Sequence, residues 1–247
     1  MEKYNRNYPF QTFPVPKELP KSTSTQPKQG GKLLACFAGG IGLLSVMAIP
    51  AWIDFSSPRI ISILADDISS SAKNPAYEKL RHEHCLSLKE QYKAGDEVVR
   101  YYFADRPEIN RELTINNQLD ALSMCQETTP KDLEIGKRDG TSLILLLEQI
   151  QTKVKSLRTQ GDKKPVVVTI TIQDTEPGND QPKVDFSRIQ KLTNAIAQDR
   201  GVVVIVGPKG KLQNDLETFL KGDRVRVFPL QSIQAAVDWG MKTGRSL

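Results

Sequence analysis

From residue 59 onward the chain alternates between two hydrophobic patterns. Short runs rich in β-branched and aromatic residues occur at IISIL (60–64), EVVRYYF (97–103), VVVTITI (166–172), VVVIV (202–206) and RVRVF (224–228), and such runs predict strands, near-continuous where both faces are buried. Between them apolar residues recur at helical spacing: Leu143, Leu146, Leu147, Ile150, Val154 and Leu157; then Phe186, Ile189, Leu192 and Ile196; then Ile233, Val237 and Met241. A further helix is predicted from about Pro75 to Tyr92. Strands alternating with helices predict an open, mostly parallel α/β sheet with helices on both faces. After the second strand, ADRPEINRELTI (104–115) has room for a turn and a short strand but not for a helix, which predicts a hairpin and one antiparallel edge strand.

Upstream the pattern changes. Residues 33–53, LLACFAGGIGLLSVMAIPAWI, are uncharged and mostly apolar over 21 positions, about the length that crosses the hydrocarbon core as a helix. This predicts a single transmembrane helix over 32–53, with Trp52 at the interface. A cleavable signal peptide would not follow so long a polar leader, a lipoprotein signal would not place Cys36 near the start of the apolar run, and a buried core helix is the competing reading. Residues 1–31 combine five prolines with Ser, Thr, Gln and Gly and show no period, so they are expected to form a disordered tail. Tyr4, Tyr8, Phe10 and Phe13 make that tail either a docking segment or simply a solvated one. Lys17, Lys21, Lys28 and Lys32 precede the apolar run and Asp54 follows it, which puts the tail in the cytoplasm and the globular domain, residues 59–245, outside it. Ala35, Ala38, Gly39 and Gly42 gather on one helical face, a surface for self-association.

Charge and cysteines refine this picture. Residues 1–53 hold six of the 34 Lys and Arg and two of the 29 Asp and Glu, leaving 28 against 27 in the body. The body therefore lacks the clustered basic stripe of a nucleic-acid surface. Cys85 and Cys125 would lie in a compartment that permits disulfides, so they are either a bridge or two buried thiols.

Open α/β sheets bind ligands at the carboxyl ends of their strands, and three polar clusters suit that edge: Asp67-Ile68-Ser69-Ser70-Ser71 leaving the first strand, Asp139-Gly140-Thr141-Ser142 immediately before the leucine-rich helix, and Gln173-Asp174-Thr175-Glu176 leaving VVVTITI. Thr141 can also cap the leucine-rich helix. In this arrangement the chain resembles a von Willebrand factor type A domain with its metal-ion-dependent adhesion site, Asp-x-Ser-x-Ser with a distant Thr and a distant Asp. The resemblance covers residues 59–244, and Phe103 near the end of the second strand fits it too. It implies a Rossmann-like fold and a metal site of Asp67, Ser69, Ser71, Thr141 and Asp174. Three hydroxyls coordinate Mg²⁺ without neutralising it, while two carboxylates supply charge directly or through water. The resemblance further implies that an Asp or Glu of a partner protein completes the shell, with Mn²⁺ or Ca²⁺ as other occupants. Two departures stand out: Asp66 beside Asp67, which either faces the other side of the strand end or adds charge against an acidic ligand, and Gln173-Asp174-Thr175 in place of the family's Thr-Asp-Gly. The plain alternative is that these Ser and Asp residues only cap helices and form turns.

Other signals are weaker. His82 and His84 lie two apart on a predicted helix and point to different faces, which disfavours a shared zinc. Gly207-Pro208-Lys209-Gly210-Lys211 lacks phosphate-loop spacing and reads as a surface turn. The Asp66-Asp67 pair lacks the Asp-x-Asp of haloacid dehalogenase-like phosphatases. A membrane-anchored, metal-dependent protein-binding module without enzymatic activity is the expected function; a metal-independent scaffold of a membrane complex and, further off, a metal-dependent hydrolase are the alternatives.

Overall fold

Strands β1 (Ile61–Asp67), β2 (Glu97–Phe103), β3 (Pro107–Thr114), β4 (Val166–Thr171), β5 (Gly201–Val206) and β6 (Val225–Phe228) form one sheet in the order β3-β2-β1-β4-β5-β6. All neighbours are parallel except β2 and β3, which pair antiparallel at the edge. The expected hairpin is therefore present. This computed structural model describes residues 58–125, 140–174 and 184–247, all within the unit Ile53–Leu247. The tail 1–31, the apolar stretch 33–53 with Cys36, and Asp139, Thr175 and Glu176 lie outside the described residues. Among the described residues no helix is long and apolar enough to cross a membrane.

The helices are α1 (Pro75–Gln91), α2 (Gln118–Cys125), α3 (Leu143–Thr159), α4 (Phe186–Gln198), α5 (Gly210–Phe219) and α6 (Ile233–Arg245). The period of two along each strand splits the core into layers. Ile61, Ile63 and Ala65 of β1 and Val166, Val168 and Ile170 of β4 meet Leu146, Leu147, Ile150, Ile189 and Leu216 of α3, α4 and α5 on one face. Ile60, Leu64, Val167, Val202 and Val204 meet Tyr77, Leu80, Leu88, Val237 and Met241 of α1 and α6 on the other. At Gly244 an added Cβ would lie 2.2 Å from Val167 Cγ2, so the absence of a side chain lets α6 approach β4.

Several boundaries differ from expectation. β1 runs on through Ala65, Asp66 and Asp67 because each carboxylate finds hydrogen bonds at the strand end. α2 is an added helix, joined to α1 by a Cys85–Cys125 disulfide with a Cα–Cα distance of 5.4 Å, within the usual range for a bridge. The 207–211 segment turns at Gly207 (φ +91°) and then opens α5 at Gly210, so the turn is also a helix start.

Candidate metal centre

β2 lies on one side of β1 and β4 on the other, so strand order reverses at β1/β4, the position where such sheets place ligands. The β1 loop leaves at Asp67, and the β4 loop carries Asp174. Asp67 and Ser69 are each 1% exposed. The Ser69 N–H donates to Asp67 Oδ1 at 2.9 Å, and the Gln173 N–H reaches Asp67 Oδ2 at 3.5 Å. Ser69 Oγ and Ser71 Oγ are 3.0 Å apart, and Ser71 Oγ donates to Asp174 Oδ1 at 3.4 Å. Four of the five expected ligands thus form one chain of oxygens across two loops.

Thr141 stands on the same edge without a hydrogen bond to those four among the described residues. Gly140, at φ +86°, takes the left-handed turn before it, and the Ser142 N–H donates to Ala104 O at 2.7 Å, pinning the loop to the end of β2. The cap of α3 is Ser142, whose hydroxyl accepts from the Leu145 N–H, and not Thr141 as expected. Thr141 is 3% exposed and its hydroxyl is left out of the cap.

Supporting residues hold the first loop in shape. Asn74 caps α1, accepting from the Tyr77 N–H, with Pro75 preset for the first turn. Its amide donates to Ser71 O at 2.9 Å and to Gln173 Oε1 at 2.8 Å, tying the β1 and β4 loops together. Gln173, the departure from Thr-Asp-Gly, therefore serves as an interloop contact. Arg81 Nη1 donates to Asp67 O at 3.2 Å and Ala72 O at 3.1 Å, bracketing the loop from below. Asn-Pro at the start of a helix is a cap signal readable in sequence, but nothing local marks Arg81.

The electrostatics favour a cation. Burial pushes the Asp67 carboxyl up to about 6, and the Asp174 charge adds to this. Among the described residues no basic side chain forms an ion pair with Asp67. The donors are oxygens of two carboxylates and three hydroxyls, the hard set that suits Mg²⁺ or Ca²⁺, and a cation is the counter-charge Asp67 lacks. Among the described residues no three His, Cys, Asp or Glu side chains gather as a metal-binding group; the candidate ligands are mostly hydroxyls. His82 is exposed while His84 is fully buried, so the two do not converge.

The sequence matches no protein-family model, and no curated protein matches it. Solved structures do match in shape. A von Willebrand factor type A structure from Catenulispora acidiphila aligns with 76% of this chain at a TM-score of 0.51 and 8% identity. The fold is that of a von Willebrand factor type A domain. An aerotolerance-related membrane protein from Bacteroides fragilis aligns over 76% of this chain and all of its own, at a TM-score of 0.54 and 12% identity. The ArnB paralog VWA2 from Sulfolobus acidocaldarius aligns over 74% of this chain at 0.51 and 15%. This chain spans 42% of the Catenulispora structure and 46% of the Sulfolobus one. In this von Willebrand factor A fold the β1/β4 edge carries Asp67, Ser69, Ser71 and Asp174, and Thr141 lies on the loop tied to the end of β2.

Proposed function

We propose that this protein is a membrane-anchored interaction module in which Asp67, Ser69, Ser71, Thr141 and Asp174 hold a divalent cation, with Mg²⁺ the best match to the donors, and a carboxylate of a partner protein completes the site. The observation that carries this reading is Asp67, buried and, among the described residues, without an ion-pair partner, at one end of the hydrogen-bonded chain that runs through Ser69 and Ser71 to Asp174. When bound, the cation supplies an attraction for an Asp or Glu that the three neutral hydroxyls leave unquenched. Asn74 and Arg81 hold the β1 and β4 loops that carry Asp67, Ser69, Ser71 and Asp174. Anchoring through residues 32–53, with the domain on the outer side, is supported by the length of the apolar run and by the Cys85–Cys125 bridge, which suits an oxidising compartment.

The same geometry speaks against catalysis. His84 hydrogen-bonds to Asp66 on the face opposite Asp67, too far round the strand to act as a base for a hydroxyl in the metal loop. A metal-independent scaffold is the second reading, favoured by the way Ser69, Ser71 and Asp174 already satisfy one another.

Selection of a displayed random-peptide library on the full chain separates the two. Peptides bearing Asp or Glu should enrich in Mg²⁺, elute with chelator and fail to enrich on Asp67→Ala. Enrichment that is unchanged by chelator and by the substitution would leave the scaffold.

A further inference from the structure

The sheet edge opposite the metal loops carries a cleft of about 920 Å³, located where β1 and β2 begin and α1 and α6 end. Arg59, Lys89, Lys93, Lys242 and Arg245 line it, with Glu90 as the acidic residue in the wall. Arg245 is committed to structure: Nη2 donates to Asp96 Oδ2 at 2.5 Å and to Gln91 O at 2.9 Å, and Nη1 donates to Pro58 O at 2.9 Å. This last bond holds Pro58, the neighbour of Arg59 in the cleft lining. Lys89 and Lys242 stand in the last turns of α1 and α6, where cations complement the helix ends. Arg59 adds a charge beyond that need. Its side chain lies over Gly95, where a Cβ would come within 3.0 Å of Arg59 Nε, so a glycine makes the room.

A second feature adjoins the cleft. Leu119, next to Gln118 of the cleft wall, is 74% exposed, and Leu122, three residues on and on the same helical face, is 39% exposed. Apolar side chains in the open beside a cationic hollow match the boundary between phospholipid headgroups and acyl chains. Five residues lie between Ile53, the last of the apolar run, and Arg59, a reach of at most about 20 Å.

We infer that this cleft takes the phosphate of an anionic phospholipid headgroup through Arg59, Lys89 and Lys242, with Leu119 and Leu122 seated in the headgroup layer. The domain then stands on the bilayer with its metal loops turned away, towards partners. This inference rests on the anchoring reading for delivery of the domain to the surface, but not on the metal site.

The test is amide hydrogen exchange on the full chain in nanodiscs of phosphatidylcholine alone or with phosphatidylglycerol. Segments 89–94 and 115–122 should exchange several-fold more slowly with phosphatidylglycerol present, and Lys89→Gln with Lys242→Gln should remove the difference. Segment 67–71 should not respond. Equal exchange in the two kinds of disc would overturn the site. Protection by inorganic phosphate in phosphatidylcholine discs, as strong as that by phosphatidylglycerol, would overturn the lipid as its source. A chain that does not incorporate into discs would defeat the anchoring reading instead, and flotation with phosphatidylglycerol vesicles would then decide the cleft: binding lost in the double variant supports it, no binding overturns it.

Discussion

Asp66 and Asp67 are adjacent on β1 and face opposite sides of the sheet. Asp66, fully buried, accepts from Thr171 Oγ1 at 3.0 Å and Arg100 Nη2 at 3.1 Å, and its Oδ1 lies 3.2 Å from His84 Nδ1. Asp67 accepts backbone N–H groups and faces the loops. The first carboxylate has its cation, Arg100, within the fold; among the described residues the second has none. Burial alone would raise the Asp66 carboxyl, but the His84 hydrogen bond and the Arg100 charge outweigh it and hold it down at about 2.

The two residues should therefore respond oppositely to substitution. Asp66→Ala takes a buried carboxylate away from Thr171, Arg100 and His84 and should cost about 3–5 kcal/mol. Asp67→Asn, in chelator at neutral pH, removes a buried uncompensated charge and should raise the melting temperature. Thermal denaturation of the pair checks this; a lower melting temperature for Asp67→Asn would contradict the reading of its environment.

The pH dependence has a defined sign. With a folded-state value of about 6 against 3.8 for an ordinary aspartate, Asp67 favours the metal-free fold fully below pH 3.8, and that contribution disappears as pH rises to about 6. Asp66, at about 2, contributes stability above pH 3.8 that is lost as pH falls towards 2. Since a cation needs ionised Asp67, Mg²⁺ affinity should fall as pH drops below about 6. Melting temperatures of the parent and Asp67→Asn between pH 4 and 8, with and without Mg²⁺, test this; a gap between them that does not vary with pH would refute it.

Reducing the Cys85–Cys125 bridge, or replacing both residues by Ala, should destabilise the domain. The bridge closes a loop with a sequence separation of 40, for which chain entropy sets a ceiling of about 4 kcal/mol, or a fall in melting temperature of roughly 10 °C. An unchanged melting temperature under reductant would show that the bridge contributes nothing.

Gly244→Ala should destabilise by about 1–3 kcal/mol, because the new methyl meets Val167 Cγ2 at 2.2 Å and α6 must move off β4. Denaturant unfolding measures it, and Val167→Ala in the same chain should recover part of the loss.

The sheet was legible because valine and isoleucine runs such as 166–172 and 202–206 have few other uses, and two of the three hydroxyl and carboxylate clusters follow strands while the third precedes the leucine-rich helix. What escaped reading depends on distant partners. Asp66 and Asp67 look alike in one dimension, and only His84, Arg100 and Thr171, brought in from α1, β2 and β4, distinguish them. Arg81 is an ordinary helical arginine until Asp67 O and Ala72 O are seen above it. α2 is short, with apolar residues on more than one side, Leu119 and Leu122 being exposed while Ala121 and Met124 are buried, so its pattern carried no clear period.

The central claim is the cation, and calorimetric titration of Mg²⁺ into the full chain beside Asp67→Ala and Thr141→Ala addresses it most directly. The account predicts saturable binding at one site per chain that is lost in both variants while each still unfolds cooperatively. Absence of binding to the parent, or binding that survives both substitutions, would contradict it.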